Sequence, residues 1–150
     1  VQVWLGGWVS TNYAVLACNT FPQCQGSWWP LMNFEQGFTL WRHLGLDAMG
    51  QPLVFESLTA IHYVHRLVAY AVLVYLALLA MSLRHVRGLQ TSAHMLGWCL
   101  LLQLLTGLTN VVFDWPLASA VLHTGGAAAL VVLLTWILTG ARVSRRTNLN

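Results

Sequence analysis

Three stretches of the chain are apolar and long enough to cross a lipid bilayer as helices. Residues 58–83 contain one charged residue, Arg66, and residues 95–113 and 117–141 contain none. A helix of about 20 residues spans the hydrocarbon core of a bilayer. Only 7% of the chain is charged, whereas an ordinary soluble domain carries roughly 25%, so a water-soluble fold is excluded. The sequence therefore predicts an all-α, polytopic membrane protein.

A fourth apolar piece, residues 1–9, precedes these stretches. Nine helical residues cover only about 14 Å, which is too short to cross a bilayer. Because the chain opens on Val1 and shows no signal-peptide pattern, we expect residues 1–11 to be the end of a truncated helix of a longer protein. The prediction is a four-helix bundle, with residues 1–150 as one transmembrane domain.

The arginines lie on one side of the predicted membrane topology. Five of the seven follow the second and fourth helices: Arg84, Arg87, Arg142, Arg145 and Arg146. Short loops rich in Arg and Lys stay in the cytoplasm. We therefore expect loop 84–93 and the carboxy terminus to be cytoplasmic, and loop 12–57 to lie outside a cell inner membrane. No basic run is interleaved with aromatic residues, so no nucleic-acid partner is indicated.

The outer loop, residues 12–57, contains many aromatic residues and two of the three cysteines. Apolar and polar residues alternate over residues 34–46, which fits a short amphipathic helix on the bilayer surface. Cys18 and Cys24 lie on the oxidising side of the membrane, so we expect a disulfide that closes the loop between them. A redox-active thiol pair is the alternative. Cys99, inside the third helix, is expected to be a small buried apolar residue.

Four ionisable residues lie inside the predicted spans: His62, His65, Arg66 and His123. Such residues are costly in a bilayer and mark functional sites. By helical rise, His65 lies about 10 Å and His123 about 9 Å from the outer ends of their helices. Two histidines at matched depth on different helices are the donor set of a bis-histidine haem. The alternative is that each histidine is hydrogen-bonded within the bundle.

Small side chains flank both histidines. Ser119, Ala120, Gly126 and Ala127 lie beside His123, and Ala69 lies beside His65. They share the helix faces of the histidines and would leave room for a porphyrin. Small residues also let helices pack closely without any cofactor, so this pattern supports a haem site without requiring one.

Arg66 and Asn110 are the polar candidates for contacts with haem. The Arg66 guanidinium could pair with a haem propionate, or it could reach the lipid headgroups. Asn110, near the outer end of the third helix, could hydrogen-bond a propionate or a ligand histidine, or make an ordinary interhelical bond. His62 and His65 are three residues apart on one helix face, so physical reasoning alone leaves open which of them is the ligand.

Several motifs resemble the carboxy-terminal half of the haem A synthase family and together cover nearly the full chain. The matching stretches are residues 5–14, 17–18, 21–22, Cys24, Gly26, 37–42, 60–66, 110–113 and 122–123. Members of that family consist of two similar four-helix halves, each with a pair of axial histidines and a pair of outer cysteines. The resemblance would therefore also explain the short first helix.

The resemblance implies an enzyme that oxidises the C8 methyl group of haem O to a formyl group, giving haem A. In the family the amino-terminal half takes the substrate haem and carries a catalytic Glu three residues before its first ligand histidine. The carboxy-terminal half holds haem b instead. Here His62 stands at the matching position, which agrees with the cofactor half and implies that this chain lacks the catalytic carboxylate.

By the same resemblance, His65 and His123 are the haem b ligands, His62 lies beside them, and Cys18 with Cys24 forms the loop disulfide. The implied partners are haem O, membrane lipid, the amino-terminal half of the same protein, an electron donor, and haem O synthase or a second copy of the chain. Two other classes share part of the pattern. One is a b-type cytochrome subunit that only relays electrons, and the other is a membrane quinone or thiol oxidoreductase.

Overall fold

The described part of the chain folds into helices and loops. The computed structural model describes residues 1–147, and the side chains up to residue 140. Within that range the helices are α1 (Gln2–Thr11), α2 (Phe34–Gly37), α3 (Phe55–Leu83), α4 (Gln90–Val112) and α5 (Leu117–Thr147), and there is no β-strand. The whole of α3, the whole of α4 and the Leu117–Gly140 part of α5 are long and apolar enough to cross a membrane. The predicted all-α membrane class is therefore confirmed.

The helix ends lie close to the predicted ones. α3 begins at Phe55 and α4 at Gln90, a few residues before the apolar stretches at 58 and 95. α1 has 10 residues, which corresponds to about 15 Å of helix. Arg142, Arg145 and Arg146, which support the predicted cytoplasmic carboxy terminus, lie outside the residues whose side chains are described.

The long helices expose large apolar side chains along their length. Tyr75 on α3, Trp98 on α4 and Trp136 on α5 are 66%, 71% and 73% exposed. A soluble monomer rarely exposes large contiguous apolar surface, whereas the hydrocarbon of a bilayer is a good solvent for it. The surfaces of these helices are therefore suited to lipid.

The chain divides into two compact units. Unit 1 comprises Val1–Val72 and Leu108–Pro116, and unit 2 comprises Leu73–Gly107 and Leu117–Asn150. The core of unit 1 contains Val9 of α1, Ala14 of the outer loop and Ile61 of α3, so the outer loop and these two helices share one core. The buried apolar residues of unit 2 come from α3, α4 and α5: Leu76, Ala80, Ala93, Leu96, Leu100, Leu133 and Ile137.

The amphipathic helix predicted over residues 34–46 is wrong in its length, because α2 ends at Gly37. Asn33 caps its start by accepting the backbone N–H of Gln36 at 3.0 Å. At its end, side-chain donors from Trp8 and Arg42 reach the Gly37 carbonyl, at 3.0 and 3.4 Å. These donors occupy a carbonyl that a longer helix would use for its own next turn, so the segment continues as an irregular loop.

Arg42 organises this irregular part of the outer loop in unit 1. Its Nη1 donates to Asn12 Oδ1 at 2.8 Å and to the Leu46 carbonyl at 2.9 Å. Its guanidinium lies 5.4 Å from the centre of the Trp8 ring, within the range of a cation–π contact. Burial lowers the pKa of Arg42, because desolvation disfavours its charged form. This arginine ties the end of α1 to the later part of the loop.

Candidate functional site

One face of α3 holds the outer loop of unit 1 by hydrogen bonds from side chains three to four residues apart. The residues of this face are Thr59, His62, Tyr63, Arg66 and Tyr70. The hydroxyl of Tyr63 donates to the Trp28 carbonyl at 2.8 Å, and that of Tyr70 donates to the Pro22 carbonyl at 3.1 Å. Because backbone carbonyls of the loop need partners once they are buried, this face of α3 acts as the support of the loop.

Arg66 donates hydrogen bonds to three carbonyls of the outer loop. It is 8% exposed, and its Nη1 donates to the carbonyls of Thr20 and Gln23, the latter at 2.8 Å. Its Nη2 donates to the Cys18 carbonyl at 2.8 Å. A guanidinium is suited to this arrangement because its N–H groups form a fixed planar fork. The side chain thus holds the disulfide loop, and its pairing with a haem propionate stays a prediction.

His62 also faces the outer loop. It is 7% exposed, and its Nδ1 lies 3.0 Å from the Ala14 carbonyl oxygen and 3.3 Å from the Cys18 backbone nitrogen. If Nδ1 carries the ring hydrogen it donates to the Ala14 carbonyl, and if it does not it accepts from the Cys18 N–H. Either way, the Nδ1 of His62 is engaged by the loop backbone, so this histidine has a structural setting.

The disulfide between Cys18 and Cys24 is present, as predicted. The two Cα atoms are 4.6 Å apart, and each cysteine is 1% exposed. Labile and catalytic disulfides need access for an attacking thiolate. The burial of both cysteines therefore favours the structural role of the disulfide over the redox-active alternative. Cys99 is a free, partly buried cysteine on α4.

His65 points away from this loop-binding face and lies against α1, within unit 1. The Nε2 of Gln2 lies 3.1 Å from His65 Nδ1 and donates to the His65 carbonyl at 3.2 Å. A Cβ atom placed on Gly6 would lie 3.2 Å from His65 Cε1. The imidazole therefore fits against α1 because residue 6 has no side chain. His65 therefore contacts α1 and His62 contacts the outer loop, although the two residues are only three positions apart on α3.

His123 lies against α4 in a similar setting, within unit 2. Its Nδ1 is 3.0 Å from Thr106 Oγ1, and its carbonyl accepts a hydrogen bond from Gln103 Nε2 at 2.9 Å. A Cβ atom placed on Gly107 would lie 3.2 Å from His123 Cε1. The ring is thus held between a hydroxyl group and a glycine of the neighbouring helix.

The two histidine settings use the same pair of residue types at the same spacing. Gln2 and Gly6 on α1 contact His65, and Gln103 and Gly107 on α4 contact His123. Sequence reasoning missed these four residues. A signal exists, because only these two of the seven glutamines in the chain have a glycine four residues further on. A spacing of four places both side chains on one helix face.

Asn110 lies in unit 1, near the end of α4. Its backbone carbonyl accepts a hydrogen bond from the Trp115 N–H at 2.9 Å, which closes the short connection to α5. Its side-chain Oδ1 is buried without a hydrogen-bond partner among the described residues. A buried amide oxygen without a partner is costly. The side-chain oxygen of Asn110 is therefore able to accept a hydrogen bond from a ligand.

Each of the two histidines has a polar group close to Nδ1. A ligand histidine binds iron through one ring nitrogen and donates its other N–H to a neighbour. The Thr106 hydroxyl donates to the Leu102 carbonyl at 2.7 Å, so its oxygen can accept a hydrogen bond from His123 Nδ1. The ring hydrogen is then on Nδ1, and Nε2 carries the lone pair that can bind a metal. At His65 the neighbour is the Gln2 amide, whose Oε1 is buried without a partner among the described residues. The Nδ1 of His123 thus faces an oxygen that can accept its hydrogen, whereas the Nδ1 of His65 faces an amide nitrogen, which can only donate.

These features define a class of protein: an α-helical membrane protein in which two helices each present a histidine held by a neighbouring helix. The chain belongs to the cytochrome oxidase assembly protein family COX15-CtaA, whose sequence profile matches residues 1–135. The family resemblance predicted from the sequence motifs is therefore confirmed.

Relatives of the chain include several bacterial proteins named heme A synthase. That of Shewanella oneidensis is 36% identical over 136 residues, which cover 91% of this chain and 41% of the relative. That of Bradyrhizobium sp. is 30% identical over 149 residues, which cover 97% of this chain and 38% of the relative. The chain thus spans about two-fifths of the length of these curated relatives. No solved structure matches the chain.

Proposed function

We propose that this chain is the haem b-binding part of a haem A synthase. The whole protein would oxidise the C8 methyl group of haem O to a formyl group, and this chain would hold haem b through His65 and His123. The family membership and the relatives named heme A synthase support this proposal. The observation that carries it is the pair of similarly shaped settings, in which each imidazole lies on a glycine and has a polar group near Nδ1.

The roles of the residues follow from their contacts. His65 and His123 would be neutral imidazole ligands, each supported by a neighbouring helix. Haem b bound in this way would accept and donate single electrons. Arg66 and His62 would keep the outer loop in place, and Asn110 would donate its side-chain amide N–H to a haem propionate.

No carboxylate of this chain is proposed as a catalyst. His62 stands where the substrate-binding half of the family carries a catalytic Glu, and its Nδ1 is engaged with the backbone at Ala14 and Cys18. The proton-transfer group of the oxidation would therefore come from the amino-terminal half of the protein. That half, haem O and an electron donor are the proposed partners, with haem O synthase or a second copy of the chain as further candidates.

The proposed orientation places loop 12–57 outside an inner membrane, and the connection at 84–93 in the cytoplasm. The disulfide agrees with an oxidising compartment on the loop side. The exposed Arg84 and Arg87 agree with a cytoplasmic connection.

The test is the optical spectrum of the purified protein. We expect a low-spin haem b signal that is lost in His65→Ala and in His123→Ala but kept in the control His85→Ala, since His85 is exposed in the connection between α3 and α4. A signal that persists in either of the first two variants would contradict the ligand assignment. Production of haem A by a deletion strain, with and without the restored gene, separates a haem A synthase from a cytochrome that only relays electrons.

A further inference from the structure

The amide of Gln2 is only half satisfied in its present orientation. Its Nε2 lies 3.1 Å from His65 Nδ1 and 3.5 Å from His65 Nε2, and it donates to the His65 carbonyl at 3.2 Å. Its Oε1 is buried and has no hydrogen-bond partner among the residues that the structure describes. The amide therefore presents its donor to the histidine, while its acceptor is left without a partner.

This orientation favours one tautomer of His65. An amide nitrogen can only donate, and its shorter contact is with Nδ1, so it favours Nδ1 as the acceptor and the ring hydrogen on Nε2. A histidine that binds iron through Nε2 has the opposite arrangement, because it carries its hydrogen on Nδ1 and donates it to a neighbour. The contact at His65 thus suits a histidine without iron and conflicts with a ligand histidine.

His123 shows no such conflict. The Thr106 hydroxyl donates to the Leu102 carbonyl at 2.7 Å, and its oxygen faces His123 Nδ1 at 3.0 Å. The oxygen can therefore accept from Nδ1, which is the tautomer that ligation through Nε2 requires. The two settings are alike in shape but differ in the group that faces Nδ1.

We propose that Gln2 is a positioning residue that turns its side-chain amide over when His65 becomes a haem ligand. After the turn, Oε1 would accept the Nδ1–H of His65, so the same rotation would satisfy the unpartnered oxygen and fix the ligand tautomer. The His65 carbonyl lies inside α3, where it accepts the N–H of residue 69, so it keeps a partner after the amide turns. This inference rests on the proposed function, since it assigns a role to Gln2 only if His65 binds haem.

The experiment measures the midpoint potential of the haem in the whole, haem-loaded protein for two replacements of Gln2. Gln2→Glu keeps an acceptor at Nδ1 and adds negative charge, which makes the ligand more basic and favours ferric iron. We expect this variant to retain haem and to lower the potential. Gln2→Leu removes the acceptor, so we expect a higher potential and about 10- to 100-fold weaker haem binding.

The matched control is Gln103→Leu. Gln103 has the same spacing to a glycine, but its amide donates to the His123 carbonyl, so its loss should leave the potential at the value of the unchanged protein. If Gln2→Glu and Gln2→Leu move the potential in the same direction, or if neither moves it, Gln2 is only a packing residue and the inference is overturned. If Gln2→Leu fails to fold, the sign of the shift in Gln2→Glu decides alone.

The outcomes distinguish this inference from the proposed function beneath it. A low-spin haem that depends on His65, together with an unchanged potential in Gln2→Glu, overturns the role of Gln2 alone. A haem signal that survives His65→Ala overturns the ligand assignment and the role of Gln2 with it.

Discussion

His65 and His123 lie in settings that share a shape but differ in surroundings. Each ring lies on a glycine of the neighbouring helix, and each backbone carbonyl accepts a hydrogen bond from a glutamine four residues before that glycine. The Nδ1 atoms differ, because one faces the Gln2 amide nitrogen and the other faces the Thr106 hydroxyl. Equal backbone geometry therefore does not give equal imidazole chemistry.

The regions next to the two histidines differ as well. In unit 1, the same helix that carries His65 also holds the outer loop through Arg66 and His62. In unit 2, Ser119 Oγ of α5 donates to the Thr106 carbonyl of α4 at 2.9 Å, beside the contact of the Thr106 hydroxyl with His123. The outer loop thus depends on the helix that carries His65, whereas the His123 setting depends on contacts between two helices.

Replacing Arg66 tests that dependence and has the largest expected effect. Arg66→Met keeps most of the apolar stem and loses the bonds to the carbonyls of Cys18, Thr20 and Gln23. Hydrogen bonds to charged groups contribute more than neutral ones, so we expect the free energy of unfolding to fall by roughly 3 kcal/mol. Unfolding in detergent measures this loss, and the rate at which a reductant opens the disulfide should rise with it.

The control for this variant is Arg84→Met, because Arg84 is exposed and should change the unfolding free energy little. The alternative role of Arg66, contact with a haem propionate, predicts a different result. If Arg66→Met leaves both the unfolding free energy and the disulfide unchanged but alters the haem spectrum, then this arginine acts on a haem propionate and does not support the loop.

The sequence predicts the membrane spans and the disulfide well, because each depends on local information. An uncharged stretch such as residues 95–113 needs no partner to be recognised as a span, and the pairing of Cys18 with Cys24 follows from closeness in sequence and from the compartment. The short α2 could not be predicted in this way. Its end depends on Trp8 and Arg42, which reach Gly37 from another helix and from the loop.

The candidate site is predictable only in part for the same reason. The sequence points to His65 and His123 by depth and by motif, but it cannot tell which neighbour faces Nδ1. Arg66 is recognisable as an intramembrane charge, yet its carbonyl partners lie more than 40 residues away in sequence. The Gln-x-x-x-Gly spacing is visible in the sequence, but its meaning requires knowing which helix packs on which.

Replacing Thr106 sharpens the comparison on the side of His123. Thr106→Val keeps the shape of the side chain but removes the oxygen at Nδ1, so we expect about 10- to 100-fold weaker haem binding. Haem titration of the purified protein measures this change. The matched control is Thr124→Val on α5, because the Thr124 hydroxyl donates to the Ala120 carbonyl within its own helix and is exposed. Equal affinities for the two variants would show that Nδ1 of His123 needs no acceptor.

The smallest expected effect comes from adding one methyl group beneath either ring. Gly6→Ala and Gly107→Ala would each place a Cβ atom 3.2 Å from Cε1 of the histidine, so the imidazole must shift by a few tenths of an ångström. We expect haem binding to weaken by less than about tenfold in both variants, because losses of tenfold or more follow removal of a hydrogen-bond partner of the ligand histidine. Gly97→Ala on α4 is the control, since its Cβ meets no atom within 4 Å; it should leave haem binding unchanged and stabilise the helix by up to about 1 kcal/mol. A loss confined to one of the two glycine variants would show that only one histidine is held by its neighbouring helix when haem is bound.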